Sequence, residues 1–413
     1  MSDTLDHKAL QVLLERPALR RLLEAYNGAV EETRIVGGAV RNALIGKPLS
    51  DIDCTTTMLP EAIIERAKKS GFKFVPTGID HGTITVIVDG EPFEVTTLRE
   101  DVETDGRHAV VRFGHDFELD AKRRDFTINA LSLGLDGKLY DYTNGVADLA
   151  ARRVRFIGEA RTRIREDYLR ILRFFRFHAE YARDGLDREG LEASGLERQG
   201  LATLSKERIR QELLKLLVAQ RAQETIRTMA EHGFLTWLLA GAAEFGRFAR
   251  VADFDQGNPV WRLAALAVMV EQDAERLREH LRLSNDEQKK LAAYAQLLAV
   301  LKTWALPFDG SAIRRLVAEH GVETLNIVLA AIRGEPAPHI LGDAWIALEN
   351  YRSGAESVPV FPLRGADLVE RGIPKGPKVG EILSAARQAW LAEGCRTDEA
   401  YAKDLLNRVL AQA

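Results

Sequence analysis

Two consecutive glycines at the end of a β-prone stretch, with a pair of aspartates soon after, constrain the fold of this chain more than any other feature. Gly37 and Gly38 lack a Cβ atom, so the backbone there can turn tightly and approach a bulky group closely. Asp51 and Asp53 are separated by one residue, and on a strand this spacing places both carboxylates on the same face. The segment is therefore predicted to run from a strand through a glycine turn and a short helix to a strand with two acidic side chains.

These carboxylates point to phosphoryl chemistry with a divalent cation. Carboxylate oxygens are the ligands that Mg²⁺ prefers, and a turn free of Cβ atoms can hold a polyphosphate. Glu94 adds a third carboxylate, because Phe93 and Val95 beside it are expected to face the core and leave Glu94 on the opposite face. Each acid alone is more often a solvated surface residue, so the prediction of a magnesium site rests on the combination of Asp51, Asp53 and Glu94.

The first part of the chain mixes strand and helix signals, and the strand signals end near residue 158. The spacing of leucines predicts a helix over residues 1–30, and Asp89-Gly90 between two alternating segments predicts a β-hairpin. Beyond residue 158 nearly every segment has helical periodicity, interrupted at glycines. The predicted fold class is therefore α+β, with a small mixed sheet in the first part and an all-α remainder.

Composition limits the class of protein. Hydrophobic residues make up 46% and charged residues 29% of the 413 residues, as in ordinary globular proteins, and no apolar run reaches the length of a membrane span. The first residues lack the basic stretch and apolar core of a secretion signal. Only Cys54 and Cys395 are present, which argues against a disulfide framework or a cysteine zinc site. We therefore expect a cytoplasmic protein.

Positive charge is concentrated in one stretch, although the whole chain has a net charge of −4. Residues 152–176 contain nine arginines and three acidic residues, which favours binding of phosphate groups. A helix over residues 165–177 would place four charged residues along one side: Asp167, Arg170, Arg173 and Arg176. An aspartate one turn from an arginine offers an acceptor and a donor, which together can read the edge of a nucleobase.

In combination, these segments resemble the class II tRNA nucleotidyltransferases, which are the CCA-adding enzymes, and their poly(A) polymerase relatives. The segments that carry the resemblance are Gly37–Arg41 with Asp51–Asp53, Arg123–Asp125, Asp141–Leu149, Glu166–Arg170, Leu204–Ile209 and the glycines from Gly365 to Gly380. The resemblance covers almost the whole chain. It implies a nucleotidyltransferase head of the polymerase-β type, followed by all-α neck, body and tail domains.

The same resemblance implies domain boundaries. They are 1–30 for an N-terminal helix, 31–158 for the catalytic head, 159–220 for a neck that recognises the nucleotide base, 221–310 for the body, and 311–413 for a tail that binds tRNA.

Roles for individual residues also follow from the resemblance. It implies that Asp51, Asp53 and Glu94 are catalytic and that Asp51 and Asp53 bind Mg²⁺. The nucleotide-binding residues that it implies are Gly38, Arg41, Arg124, Asp167, Arg170, Arg173 and Arg176. One position departs from the family, because Asn42 stands where an aspartate usually follows the arginine. We expect this change to weaken a clamp on a neighbouring residue without abolishing catalysis.

The function implied is the template-independent addition of CCA to the 3′ end of tRNA from CTP and ATP, with release of pyrophosphate and with no membrane or protein partner. A flexible loop that the family needs for the final A is full length here, over residues 99–108, with Asp105 and Arg107 at its centre. This favours complete CCA addition. The alternatives are a poly(A) polymerase, an enzyme that adds only CC or only A, and a non-catalytic RNA-binding protein.

Overall fold

The computed structural model describes residues 5–49, 51–105, 108–255, 257–304, 308–336 and 340–412. The chain forms two compact units, one ending at His232 and the other beginning at Gly233. Within the described residues, every strand lies in the first unit, which confirms the predicted α+β head and helical remainder. The finer division into neck, body and tail stays a prediction.

Seven strands of the first unit form one mixed sheet in the order β3-β4-β5-β2-β1-β8-β9, and β6 and β7 form a separate pair. The strands are β1 (Thr33–Val36), β2 (Asp53–Thr56), β3 (Lys73–Gly78), β4 (Thr83–Val88), β5 (Glu91–Thr97), β6 (Arg99–Asp105), β7 (His108–Phe113), β8 (Ser132–Leu133) and β9 (Leu139–Tyr140). β2 and β5 run parallel, and the other neighbouring strands run antiparallel. The small mixed sheet is therefore as predicted.

The helices of the first unit precede the strands, alternate with them and follow the last strand along the chain. They are α1 (His7–Leu14), α2 (Pro17–Tyr26), α3 (Gly38–Leu44), α4 (Pro60–Lys69), α5 (Phe117–Lys122), α6 (Gly145–Ala150), α7 (Ala160–Glu166), α8 (Leu169–Tyr181), α9 (Arg188–Leu196), α10 (Lys206–Leu217) and α11 (Ala222–Glu231). Short 3₁₀ turns occur at Ile79–His81, Thr127–Asn129 and Arg198–Thr203.

Within the described residues, the regular elements of the second unit are all helices, apart from one isolated β-bridge between Phe308 and Ile340. Its helices are α12 (Leu235–Leu239), α13 (Phe245–Phe254), α14 (Pro259–Ala267), α15 (Glu271–Leu281), α16 (Asn285–Thr303), α17 (Gly310–His320), α18 (Val322–Ala331), α19 (Gly342–Ser353), α20 (Gly365–Val369), α21 (Pro377–Ala392) and α22 (Glu399–Gln412). No described helix combines the length and the apolar character that crossing a bilayer demands.

An aromatic cluster packs α8 onto the segments that follow the sheet. The rings of Phe126 and Phe156 are 4.9 Å apart between centroids, and Phe126 lies 5.3 Å from Phe177 of α8. Phe174 of α8 lies 5.3 Å from Phe156. Each of these rings is buried, so the cluster fixes α8 against the head by apolar burial and ring contacts.

Two of the predicted helices are interrupted. The helix predicted over 1–30 is two helices, because Pro17 has no amide hydrogen to continue α1 and instead occupies the first turn of α2. The helix predicted over 165–177 is broken between α7 and α8. Asp167 has extended backbone angles there, and its Oδ1 atom accepts a hydrogen bond from the Leu169 amide.

The hairpin prediction is confirmed, whereas the loop predicted over 99–108 is largely strand. β4 and β5 are joined by Asp89 and Gly90, both with positive φ, as a type I′ turn requires. β6 and β7 pair antiparallel across the predicted loop, although most residues of this segment are charged or turn-forming types that strands disfavour. Asp105 is the last residue of β6, and Arg107 lies outside the described residues.

Candidate active site

Strand register brings the predicted catalytic carboxylates together at one edge of the sheet. Asp53 is the first residue of β2, and it pairs with Val36 of β1 on one side and with Glu94 of β5 on the other. Asp51 precedes it by two residues, with the buried Ile52 between them, so Asp51 and Asp53 share the exposed side. Phe93 and Val95, which flank Glu94, are buried as predicted.

The charges around Asp53 make it hard to ionise. Its carboxylate is accessible, but the surrounding protein removes part of its hydration, and the negative charges of Glu94 and Asp51 are close. Burial and these neighbours raise the pKa of Asp53 to about 6, while Arg124 acts in the opposite direction. Like charges gathered in this way form a site that a cation would stabilise.

The donor set fits a divalent cation held mainly by two carboxylates. Mg²⁺ keeps several of its waters and is commonly bound through one or two protein carboxylates. Asp51 and Asp53 offer two hard oxygen donors on one face. Within the described ranges, no three His, Cys, Asp or Glu side chains are arranged to hold a metal ion together. Glu94 lies opposite Asp53 in the register of the neighbouring strand.

The glycine turn lies beside this edge. Gly37 has φ of +69° and ψ of −121°, which glycine adopts freely, and its amide donates to the Leu131 carbonyl of the strand region near β8 at 3.0 Å. Gly38 begins α3 immediately afterwards. A Cβ atom at Gly37 would lie 3.5 Å from Nη1 of Arg124, so the Arg124 guanidinium lies next to the turn.

Arg124 is held in this place by a buried aspartate. Its Nε and Nη2 atoms donate to Oδ2 of Asp120 at 3.3 and 3.1 Å, and Arg123 donates to Oδ1 of the same residue. Burial alone would raise the pKa of Asp120, but the two arginines outweigh it and hold that pKa below its usual range. Arg124 is thus positioned near both Asp53 and Gly37, where it can contact a phosphate.

Arg41, which was expected to hold the triphosphate, is buried instead. It is 5% exposed, and burial lowers the pKa of its guanidinium. Nε and Nη2 donate to Oδ1 of Asn42 at 3.1 and 2.9 Å, Nη1 donates to Oδ1 of Asn129, and Nη2 donates to the Tyr181 hydroxyl at 2.7 Å. A direct phosphate contact would require the Arg41 side chain to leave these partners.

The predicted base-reading pair lies at the junction of α7 and α8. Arg170 donates to Glu166, to the Arg163 carbonyl at 2.8 Å and to the Arg123 carbonyl at 3.3 Å. Asp167 accepts from Nη2 of Arg208 at 2.7 Å. Both side chains remain partly exposed. Recognition of a base edge by this pair requires each to exchange part of these contacts for the base.

Arg173, which is partly exposed, and the buried Arg176 are both engaged with carboxylates of other segments. Arg173 donates to Oδ2 of Asp125 through Nε at 2.8 Å, and this charge, against the effect of burial, holds the pKa of Asp125 below its usual range. Arg176 donates to Oε2 of Glu212 at 2.6 Å and is nearly buried. Both arginines therefore contribute to packing of α8 in this arrangement.

The positive patch expected over 152–176 is largely neutralised. Eight of its nine arginines form ion pairs with carboxylates, most of which lie outside the stretch. The arginines are 153, 155, 161, 163, 165, 170, 173 and 176, and their partners include Asp125, Asp148, Glu166, Glu197 and Glu212. The field that the sequence suggested is therefore much weaker in the folded chain.

Sequence reasoning missed several residues that shape the site. Asp120 holds Arg124, and its position one helical turn before Arg124 was an available signal. Gly200 was interpreted only as a helix break, but a Cβ atom there would lie 1.9 Å from the ring of Tyr168, beside Asp167. Arg208 and Tyr181 come from distant parts of the sequence and gave no local signal.

Two family models match the chain. The Poly A polymerase head domain matches residues 33–155, which include the glycine turn, the carboxylates and Arg124. The model described as the probable RNA and SrmB-binding site of polymerase A matches residues 187–245.

Several known proteins match over most of their length. The CCA tRNA nucleotidyltransferase 1, mitochondrial, of Mus musculus is 36% identical over 388 residues, which are 92% of this chain and 88% of the relative. The CCA-adding enzyme of Lactobacillus gasseri is 30% identical over 407 residues, 95% of this chain and 96% of the relative.

A solved structure agrees with these relatives. The Bacillus stearothermophilus CCA-adding enzyme in complex with CTP matches with a TM-score of 0.73 and 27% identity, covering 96% of this chain and 99% of that one. Nucleotidyltransferases of the family that contains these relatives generally use a divalent metal. The resemblance drawn from the sequence is confirmed: the chain belongs to the family of CCA tRNA nucleotidyltransferases, the CCA-adding enzymes.

Proposed function

We propose that this protein adds C, C and A to the 3′ end of tRNA without a template, using CTP and ATP and releasing pyrophosphate. The observation that carries the proposal is the register of β2 and β5, which sets Asp53 beside Glu94, with Asp51 on the same side and Arg124 near the glycine turn. The relatives named for CCA addition match along nearly the entire chain, which supports the same activity here.

In the proposed reaction, the 3′ hydroxyl of the tRNA attacks the α-phosphorus of CTP or ATP, and pyrophosphate leaves. Asp51 and Asp53 would hold Mg²⁺, which lowers the pKa of an attacking hydroxyl and neutralises charge on the phosphates. Glu94 orients this pair from the neighbouring strand. The Gly38 amide and Arg124 contact the phosphates.

Base selection is assigned to Asp167 and Arg170. A base with the wrong edge would leave these polar groups unpaired, which disfavours G and U. Arg41, Arg173 and Arg176 are proposed to position the elements around the nucleotide, since their guanidinium groups are engaged with Asn42, Asp125 and Glu212. Asp105 and Arg107, in the full-length segment over 99–108, are proposed to assist addition of the final A.

The replacement Asp53→Asn tests the metal site. We expect incorporation of CMP to fall about a thousandfold, because a bound metal contributes several kcal/mol to the transition state. Asn keeps the size of the side chain and the β2 backbone pairing, so thermal unfolding should change little. The matched control is Asp136→Asn, in the turn between β8 and β9, which should keep full activity. Loss of folding in the Asp53 variant, or activity equal to the wild type, would contradict the assignment.

The product pattern separates the alternative enzymes. Transcripts of tRNA that end with no C, one C or CC of the CCA end are incubated with CTP or ATP separately and then together. A CCA-adding enzyme completes all three and stops after A. A CC-adding enzyme stops before A, an A-adding enzyme extends only the CC end, and a poly(A) polymerase extends with ATP alone. A non-catalytic RNA-binding protein incorporates nothing.

We also propose that the protein acts in the cytoplasm. Both cysteines are free thiols and buried, which suits a reducing compartment. The mouse relative carries the word mitochondrial in its name, so the compartment needs its own test. Cells that express the native chain are fractionated, and each fraction is probed for a marker protein of its compartment. We expect the chain to appear with the cytoplasmic marker.

A further inference from the structure

Arg41 is a buried cation whose hydrogen-bond acceptors are neutral. Among the described residues, its side-chain hydrogen bonds go to Asn42, Asn129 and Tyr181, and its guanidinium carbon lies 4.0 Å from the ring centre of Tyr181. In the part of the chain that the structure describes, Arg41 forms no ion pair with a carboxylate within 4.0 Å. The carboxylates of Glu180 and Asp125 act on Arg41 only from beyond contact distance. A buried charge whose direct partners are neutral depends strongly on each of those partners.

Asn42 connects this cation to the loop that leads to the aspartates. This α3–β2 loop comprises residues 45–49 and 51–52. The Asn42 side chain accepts from Arg41 with Oδ1 and donates from Nδ2 to the Pro48 carbonyl at 2.9 Å. The Asn42 backbone carbonyl accepts from the Lys47 amide at 2.9 Å. The position of Arg41 therefore affects the course of the loop just before Asp51.

The same loop is attached to the end of α8. Nζ of Lys47 donates to the Glu180 carbonyl at 2.5 Å and lies 4.4 Å from the centre of the Tyr181 ring. The Tyr181 ring is thus close to two cations, one from α3 and one from the loop. The ring is within cation–π distance of both, and the Tyr181 hydroxyl accepts from Arg41.

A second branch of the network reaches the middle of α8. Nδ2 of Asn129 donates to Oδ1 of Asp125 at 3.0 Å, and Oδ2 of Asp125 accepts from Arg173 at 2.8 Å. The helix α8 is therefore connected to Arg41 twice, through Arg173 near its centre and through Tyr181 at its last residue. The helix follows directly after the predicted base-reading residue Asp167.

We propose that Tyr181 is a positioning residue, which acts with Asn42 to hold Arg41 in place of a carboxylate and so fixes the α3–β2 loop relative to α8. The inference deepens the proposed function and rests on it. A bound nucleotide would span the carboxylates at the end of this loop and the base-reading residues at the start of α8. The network sets the distance between the carboxylates and the base-reading residues. A small change in that distance should lower kcat more than it raises KM.

The variant Tyr181→Phe tests the hydroxyl while keeping the ring. We expect kcat for CMP incorporation to fall roughly tenfold, with KM for CTP within about twofold, because groups that orient a site act mainly in the transition state. The matched control is Tyr26→Phe, which removes another buried hydroxyl bond in the same unit, to the Ile63 carbonyl at 2.9 Å. This control should keep the wild-type kcat.

A carboxylate at position 42 should restore the kcat that Tyr181→Phe loses. Asn42→Asp gives Arg41 a carboxylate partner, so the cation no longer depends on the Tyr181 hydroxyl. The aspartate loses the side-chain bond to the Pro48 carbonyl, but the backbone bond from the Lys47 amide to residue 42 still connects it to the loop. We expect the double variant Asn42→Asp, Tyr181→Phe to recover most of the activity that Tyr181→Phe loses. A merely structural loss of packing at Tyr181 would not be rescued by this change, since residues that do not share a partner act additively.

Amide hydrogen exchange of the same variants reports on the loop without turnover. Tyr181→Phe should speed exchange in the peptide that contains Lys47 by about tenfold, and Tyr26→Phe should leave it unchanged. Absence of incorporation by the wild type would refute the proposed function, while exchange would still decide the inference. Wild-type activity together with unchanged kcat and exchange in Tyr181→Phe, or no rescue by Asn42→Asp, would overturn the inference alone.

Discussion

At the residue scale, the glycine turn shows how one backbone conformation limits the site. Gly37 has a positive φ with a strongly negative ψ, and residues with a Cβ atom avoid this combination. A Cβ atom would meet Arg124 and the Asn129 carbonyl at 3.5 and 3.6 Å, which are ordinary contact distances. The cost of a side chain at Gly37 therefore comes from the backbone and not from crowding.

We expect Gly37→Ala to lower the free energy of unfolding by about 1–3 kcal/mol. CMP incorporation should fall as well, because the turn lies beside Arg124. Denaturant unfolding followed by circular dichroism measures the first effect. The control Gly195→Ala is in α9, exposed and free of nearby atoms, and should leave stability equal or raise it by about 0.5–1 kcal/mol. An unchanged free energy of unfolding in Gly37→Ala would contradict this turn geometry.

The sequence predicted the acidic residues of the site better than the arginines. Alternation along a strand is local, so Asp51, Asp53 and Glu94 could be placed on one face from their neighbours alone. The burial of Arg41 depends on Asn129 and Tyr181, which are far away in the chain. The sequence shows that a stretch is rich in arginine, but tertiary packing decides whether each guanidinium faces solvent or a carboxylate.

At the element scale, α8 contains a buried histidine that should make stability depend on pH. His178 is 2% exposed, and α8 packs against α11. Burial, together with the charge of Arg221, lowers the pKa of His178 from 6.5 to about 4, while Glu224 acts in the opposite direction. The unfolded chain therefore binds a proton at His178 near pH 6.5, and the folded chain does so only near pH 4.

The stability linked to His178 is fully present above pH 6.5 and is lost as the pH falls toward 4. Between pH 7 and 4.5 we expect the wild type to lose about 2–3 kcal/mol more free energy of unfolding than His178→Gln does. Denaturant unfolding at several pH values measures this difference. His115→Gln, which alters an exposed histidine, should keep the wild-type dependence. If the free energies of unfolding of the wild type and His178→Gln changed with pH in parallel, the conclusion that His178 is buried and neutral would be wrong.

Elements were predictable where their signals were local. The Asp89-Gly90 turn identifies its hairpin because both residues tolerate positive φ. The break between α7 and α8 was missed, because the periodicity of this stretch alone predicts one helix, whereas the extended Asp167 accepts a hydrogen bond from the Leu169 amide at the start of α8. The loop expected over 99–108 came from the family resemblance, and its many charged residues gave no local signal for the paired strands β6 and β7.

At the scale of the whole molecule, the proposed nucleotide site and the tryptophans lie in different units. All residues proposed to contact the nucleotide precede His232, in the first unit. The five tryptophans lie in the second unit, at positions 237, 261, 304, 345 and 390. Tryptophan fluorescence therefore reports on the second unit alone, while circular dichroism at 222 nm reports on helices of both.

This separation predicts how CTP changes thermal unfolding. A ligand at about a hundred times its dissociation constant stabilises the unit that binds it by about 2.7 kcal/mol, which for this size is a rise of roughly 5–10 °C in Tm. With Mg²⁺ present, CTP should raise the dichroism transition of the first unit and leave the tryptophan transition in place. GTP, which carries the same phosphates on a different base, should raise it less, because Asp167 and Arg170 are proposed to select the base. A tryptophan transition that rises with CTP as much as the dichroism transition would show that nucleotide binding involves the second unit as well.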